Sequence, residues 1–232
     1  MPNPQLDLTS LIKLAWFTLG SPGVVEVAMR GTADAAVLDL QHGLWDRMSA
    51  YTAVKAAAPR PVLLRVADNS AIEISRGLDT GGAGVIVPMV ETPDEAVQAV
   101  AHANFPPIGH RSAGGVRLQA RGFQYAASGA TTLLGVMIET AAGVHNARGI
   151  AAVAGVDFIF IGPGDLGLSL GKNGDLEGSL AGILAACREA GKPCGIYTPT
   201  RAASETRSRQ GFSITAVADD VSAIMSAFAV PG

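Results

Sequence analysis

Eight short apolar runs recur along the chain, most of them separated by a segment of helix length, and this alternation restricts the fold more than any other feature. The runs cover residues 12–17, 36–40, 62–66, 84–88, 133–138, 158–161, 194–197 and 212–217. Helix-length segments at 22–30, 47–58, 71–80, 93–103 and 176–190 begin or end with capping residues or glycine. Alternating strands and helices build parallel sheets with right-handed crossovers. Eight such units in 232 residues close into a (β/α)8 TIM barrel more readily than they spread into an open sheet. An open doubly wound sheet would carry a Gly-rich dinucleotide turn after its first strand, and Phe17-Thr18-Leu19-Gly20-Ser21 is not one. Residues 1–232 therefore read as a single α/β barrel domain. One stretch, 104–128, rich in Gly, Pro and Arg, reads as a long functional loop.

Parallel strands deliver the residues at their carboxyl ends to one face of a barrel. Those exits hold Asp39, Gln41 and His42 after the second run, Arg65 in the third, Pro88 and Met89 after the fourth, Glu139 after the fifth and Asp165 after the sixth. The stretch from Gly135 to Gly171 is the most informative, because it places a carboxylate at the exit of two consecutive strands. Two carboxylates on one edge repel unless a shared proton or a divalent cation compensates them, and oxygen-only ligation suits Mg²⁺ or Mn²⁺. Gly162, Gly164 and Gly167 around Asp165 leave room for close backbone approach, and the amides there face a small anion at a helix start. Each residue alone admits a structural role: Glu139 as a helix N-cap, Asp39 bonding local amides, His42 as a satisfied loop histidine, Arg65 in a buried ion pair. Jointly, a base, a cation and two carboxylates converging on one face describe an active site.

Composition works by exclusion. With 16% charged residues and a net charge of -3, the chain has no basic patch for nucleic acid or an anionic membrane surface. No apolar run reaches transmembrane length, and the opening MPNPQLDLTS lacks the pattern of a secretory signal, so a soluble cytoplasmic protein is expected. Cys187 and Cys194 lack CxxC spacing and read as reduced packing residues. The lysines Lys13, Lys55, Lys172 and Lys192 include none at a central strand exit, except Lys13 inside the first strand, which disfavours Schiff-base chemistry.

LDLQHGLWD (38–46), LLRV (63–66), VPMVETPDEA (87–96), PPIGHRSAGG (106–115), MIET (137–140) and GVDFIFIGPGDLGLSLG (155–171) together resemble the HpcH/HpaI aldolase family of metal-dependent, class II pyruvate aldolases, in the phosphoenolpyruvate/pyruvate barrel superfamily. The resemblance spans most of the chain and implies a barrel whose last helix, about 218–228, is swapped with a neighbouring subunit, and a homo-hexamer built as a trimer of dimers. It implies that Glu139 and Asp165 bind a divalent metal ion (Mg²⁺, Mn²⁺ or Co²⁺), that Arg65 faces the pyruvate oxygens, and that His42 is the acid/base residue. Asp79, in RGLDTGG, is implied to orient that histidine, often across a subunit boundary. The amides of Gly164 and Asp165 are implied to receive the pyruvate carboxylate, and Arg111 with its following glycines to close over the site. The implied reaction is reversible aldol cleavage of a 4-hydroxy-2-oxo acid to pyruvate, or a related 2-oxo acid, and an aldehyde through an enolate whose charge the metal stabilises. Met137 stands where the family usually has Gln, and HRSAGG resembles the citrate lyase β-subunit branch equally. An acyl-CoA or β-hydroxy acid lyase and a non-catalytic 2-oxo acid binder are therefore kept as alternatives. The aldehyde pocket is expected around Trp45, 116–123 and 168–173.

Overall fold

The structure, a computed structural model, describes residues 6–121 and 132–229. Eight parallel strands pair in sequence order and close on themselves: β1 (Ile12–Phe17), β2 (Ala35–Asp39), β3 (Val62–Arg65), β4 (Gly84–Val87), β5 (Leu133–Ile138), β6 (Phe158–Ile161), β7 (Cys194–Ile196) and β8 (Ile214–Asp219). The helices are α1 (Pro22–Ala28), α2 (Arg47–Ala56), α3 (Ala71–Asp79), α4 (Pro93–Ala103), α5 (Val116–Arg121), α6 (Ala141–His145), α7 (Ala147–Ala152), α8 (Pro163–Leu170), α9 (Leu176–Glu189), α10 (Arg201–Gln210) and α11 (Asp220–Ala227). The expected barrel is borne out, and strand bounds differ from those read in the sequence by at most two residues.

Three differences have local causes. The single helix expected before β6 is two short ones broken at Asn146, whose amide side chain donates to Glu91 O (2.8 Å). The stretch 104–128 is not all loop, because α5 interrupts it; its remainder, 122–128, lies outside the described residues. The last strand starts and ends two residues later than its apolar run.

Side-chain alternation sorts the strands into two cores. Ile12, Leu14, Trp16, Val37, Leu63, Met137, Phe158 and Phe160 fill the barrel interior. Their neighbours Phe17, Leu38, Leu64, Val136, Ile159 and Ile161 face the helices. Glycine at 135 makes room for the interior aromatics, since a Cβ there would lie 2.3 Å from the Phe158 ring. Cys187 and Cys194 are free and buried in the strand–helix layer. Among the described residues no helix is long and apolar enough to cross a membrane.

Candidate active site

Inward alternation carries past the end of each strand and thereby aims the polar residues. Leu63 lies in the interior core, so Arg65 two residues on faces inward at the carboxyl end; Val37 leads to Asp39, and Met137 to Glu139, by the same step. These side chains border a cavity of about 230 Å³ at the carboxyl end of the barrel, shared with His42, Gly164 and Asp165. No lysine lines it among the described residues. Lys13 is exposed in β1, two residues before the buried Ala15, far from the mouth.

Arg65 and Asp39 form a buried two-point ion pair, Nε to Oδ1 at 2.9 Å and Nη2 to Oδ2 at 2.5 Å. Asp39 Oδ1 also accepts the backbone N–H of Gln41 and of His42, both at 3.1 Å. Burial would raise the Asp39 carboxyl, but the Arg65 hydrogen bonds and charge, with the His42 amide, hold it below the usual carboxylate range. The structural and functional readings of both residues thus coincide: Asp39 fixes the histidine loop and the guanidinium. Nη1 remains for a ligand, and the Arg65 guanidinium carbon stands 5.1 Å from the centroid of the Trp16 ring.

Glu139 is 1% exposed, yet only one of its oxygens is partnered. Oε1 accepts the Met89 N–H at 2.8 Å, whereas Oε2 is buried without a hydrogen bond among the described residues. Met89 reaches it from a left-handed backbone (φ 56°), a conformation that costs a residue with a side chain about 1–2 kcal/mol. A Cβ on Gly162 would lie 2.4 Å from Oε2, so only glycine lets β6 approach this carboxylate. Burial raises the Glu139 carboxyl above its usual range and the Asp165 charge adds to this, while the Met89 amide and the charges of Arg65 and His42 oppose it. An orphaned buried oxygen beside a second carboxylate is the condition a divalent cation relieves, and a hard-oxygen donor pair suits Mg²⁺, Mn²⁺ or Co²⁺. Among the described residues no group of three or more His, Cys, Asp or Glu is placed to hold an ion.

Asp165 stands exposed in the first turn of α8, whose N-cap Gly162 offers no side chain. The Gly164 and Asp165 amides are therefore not used by a side-chain cap, and a Cβ on Gly164 would meet nothing within 4 Å. The opening of α8 is thus clear for an anion.

The cavity has a wall that the sequence reading missed, made by Trp16, Thr18, Tyr197 and Asp219. Trp16 and Thr18 follow Leu14 at inward positions, and Tyr197 immediately follows β7, so the exit rule would have found them had it been applied to the first and seventh strands. Asp219 was hidden for a different reason. Between Leu14 and Ala15 the β1–β8 register jumps from Ala216 to Ala218, and the extra residue shifts the inward parity so that Asp219, not an even-numbered residue, faces the mouth. Tyr197 Oη donates to Asp219 Oδ2 at 3.3 Å, and its hydroxyl is pushed up to about 12 by burial and by that carboxylate.

Asp79 and Arg111 are not brought to this mouth within the chain. Asp79 ends α3, and Arg111 lies on the α4–β5 connection, both at the amino-terminal end of the barrel where helices hand over to strands. There Arg111 Nη2 donates to Asp79 Oδ1 at 2.8 Å and its guanidinium lies 4.8 Å from the Phe105 ring centroid. Arg111 therefore does not close over its own chain's site. Of the segments expected to form the aldehyde pocket, α5 sits on that same connection. Trp45 is used otherwise, its indole N–H donating to Phe17 O at 2.9 Å.

The sequence matches the HpcH/HpaI aldolase/citrate lyase family over residues 13–227. The chain belongs to this family. A 5-keto-4-deoxy-D-glucarate aldolase of Salmonella newport (strain SL254) is 36% identical over 223 residues, covering 90% of this chain and 86% of the relative. An HpcH/HpaI aldolase/citrate lyase family protein from Burkholderia cenocepacia J2315 superposes with a TM-score of 0.88 at 32% identity, covering 94% of this chain and 91% of that one. The HpcH/HpaI aldolase from Desulfitobacterium hafniense DCB-2 shares the fold, with a TM-score of 0.84 at 22% identity over 94% of this chain and 90% of that one. The family expected from the motifs is therefore the family found.

Proposed function

We propose that this chain is a class II, divalent-metal-dependent carbon–carbon lyase that reversibly cleaves a 4-hydroxy-2-oxo acid to pyruvate, or a related 2-oxo acid, and an aldehyde. The observation that carries the reading is Glu139: a buried carboxylate with one orphaned oxygen, beside Asp165 and facing Arg65 at the barrel mouth. Glu139 and Asp165 hold the ion, which when bound supplies a Lewis acid for the 2-oxo group. The Gly164 and Asp165 amides receive the substrate carboxylate. Arg65, oriented by Asp39, offers Nη1 where negative charge grows as the bond breaks, and a donor aimed at developing charge lowers the barrier more than one that binds the ground state. In cleavage His42 takes the 4-hydroxyl proton, the C3–C4 electron pair passes to C3 as an enolate, the aldehyde leaves, and the enolate takes a proton from solvent at C3 to give pyruvate; addition reverses these steps, beginning with loss of a C3 proton.

Asp79 joins this scheme across a subunit boundary, from a second copy of the chain whose amino-terminal barrel end meets this mouth. A homo-hexamer built as a trimer of dimers, with α11 swapped between subunits, is the assembly that supplies it. The apolar side chains α11 leaves exposed, Met225 (70%) and Phe228 (80%) among them, support that placement. The setting we assign is the cytoplasm, with small 2-oxo acids and aldehydes as partners rather than nucleic acid or membrane.

The test is exchange of pyruvate methyl protons for deuterium, followed by NMR with Mn²⁺ or Mg²⁺ and with a chelator control. Metal-dependent exchange is expected. Its absence in metal-replete protein would transfer the assignment to an acyl-CoA lyase or a non-catalytic binder.

A further inference from the structure

The charges around the cavity balance except on one wall. Asp39 and Arg65 neutralise each other, Glu139 and Asp165 match a divalent ion, and the α8 amides answer the substrate carboxylate. Asp219 is left over. It lines the cavity, is 9% exposed, and has Oδ1 occupied by the Ser222 N–H at 2.8 Å as the cap of α11. Among the described residues its Oδ2 has only the Tyr197 hydroxyl at 3.3 Å, long for O–H···O bonds, which centre near 2.7–2.8 Å. A hydroxyl lying beside such a pair can accept from the phenol or donate to Oδ2, each of which has hydrogen-bonding capacity to spare. Among the described residues Arg65 and His42 are the cavity's basic side chains, and the Nε–Nη2 edge of Arg65 is already taken. Among the described residues of this chain nothing positive is left on the Trp16–Tyr197–Asp219 wall for a second anionic group, and the Asp79–Arg111 pair assigned to a neighbouring copy arrives already neutralised.

On the reading that this is a pyruvate-type aldolase site, the 2-oxo acid is held on the β3, β5 and β6 side, and the space remaining for the aldehyde is bounded by this wall. We propose that the aldehyde accepted or released here is a short, uncharged hydroxyaldehyde whose hydroxyl is read by Tyr197 and Asp219, and that aldehydes ending in a carboxylate are rejected. Rejection follows from Coulomb repulsion by Asp219 in a partly desolvated mouth, and selection from the penalty of leaving a polar pair without its guest.

The test compares kcat/KM for addition of pyruvate to glycolaldehyde, glyceraldehyde, acetaldehyde, glyoxylate and succinic semialdehyde, in the metal-loaded full-length protein. Glycolaldehyde or glyceraldehyde is expected to exceed both carboxylated acceptors by about tenfold or more. Tyr197→Phe should lower the glycolaldehyde-to-acetaldehyde ratio about tenfold, the effect of one lost hydrogen bond in a specific pocket. Asp219→Asn keeps a good N-cap residue for α11 and should raise the glyoxylate-to-glycolaldehyde ratio about tenfold. Melting temperatures of both variants separate these ratios from misfolding. Preference of the wild-type protein for carboxylated acceptors, efficient cleavage of 5-keto-4-deoxy-D-glucarate over neutral analogues, or ratios unmoved by both substitutions would overturn the proposal. If pyruvate proton exchange persists in that event, only the acceptor assignment falls; if exchange is also absent, the aldolase reading falls with it.

Discussion

Glu139 concentrates the chemistry of this molecule in one side chain. A buried carboxylate normally collects several donors, because each unmet lone pair costs part of the desolvation free energy. Here the backbone supplies one donor, from a strained Met89, and a glycine at 162 keeps β6 close without offering another. Glu139→Gln preserves the shape and the acceptor for the Met89 N–H while removing the buried charge. The variant is expected to lose metal-dependent turnover by at least about a hundredfold, as a Lewis-acid site losing one of two anionic ligands should. It should nevertheless melt no lower than the metal-free wild type. Retained turnover with bound metal, measured by activity alongside metal analysis, would remove Glu139 from the ligand set.

Strands act in this protein as aiming devices, and that explains what could be read before any coordinates existed. Asp39, Arg65 and Glu139 each sit two residues after an apolar interior residue, so periodicity together with the rule of strand exits located them. Asp219 escaped because a register jump against β1 changed the parity of β8, and a single sequence carries no mark of such a jump. Asp79 and Arg111 belong to the opposite end of their own barrel, since motif spacing says nothing about which end of which copy a residue serves. The same amino-terminal end offers a check on strand-start electrostatics. Asp157 accepts the Leu134 N–H at 2.7 Å, and burial raises its carboxyl above the usual value of 3.8 despite that bond and the nearby Lys192. A raised folded-state value means that folding opposes ionisation: the penalty is absent below 3.8 and grows as pH rises through the folded-state value. Asp157→Asn, which keeps an acceptor for Leu134, should therefore melt at or above wild type at pH 7, with the gap narrowing at pH 4. A variant that melts lower at pH 7 would show that attraction to the nearby Lys192 charge outweighs the burial.

At the scale of the whole molecule the two barrel ends carry different tasks. The carboxyl end gathers the proposed chemistry, and the amino end holds the Asp79–Arg111 pair that we assign to a neighbour's site. Assembly is then a condition of activity rather than an addition to it. Phe228→Glu places a charge on the exposed apolar side of the last helix and is expected to shift the particle from a hexamer to smaller species in light scattering. Far-UV circular dichroism should be unchanged and turnover lost together with assembly. A fully active monomer would refute both the swap and the shared histidine partner.

The interior of the barrel adds a constraint on traffic. Ile12, Leu14, Leu63, Phe158 and Ile214 plug it below the mouth, so nothing passes through from the far end. Both fragments of a cleaved substrate must leave by the opening through which it came.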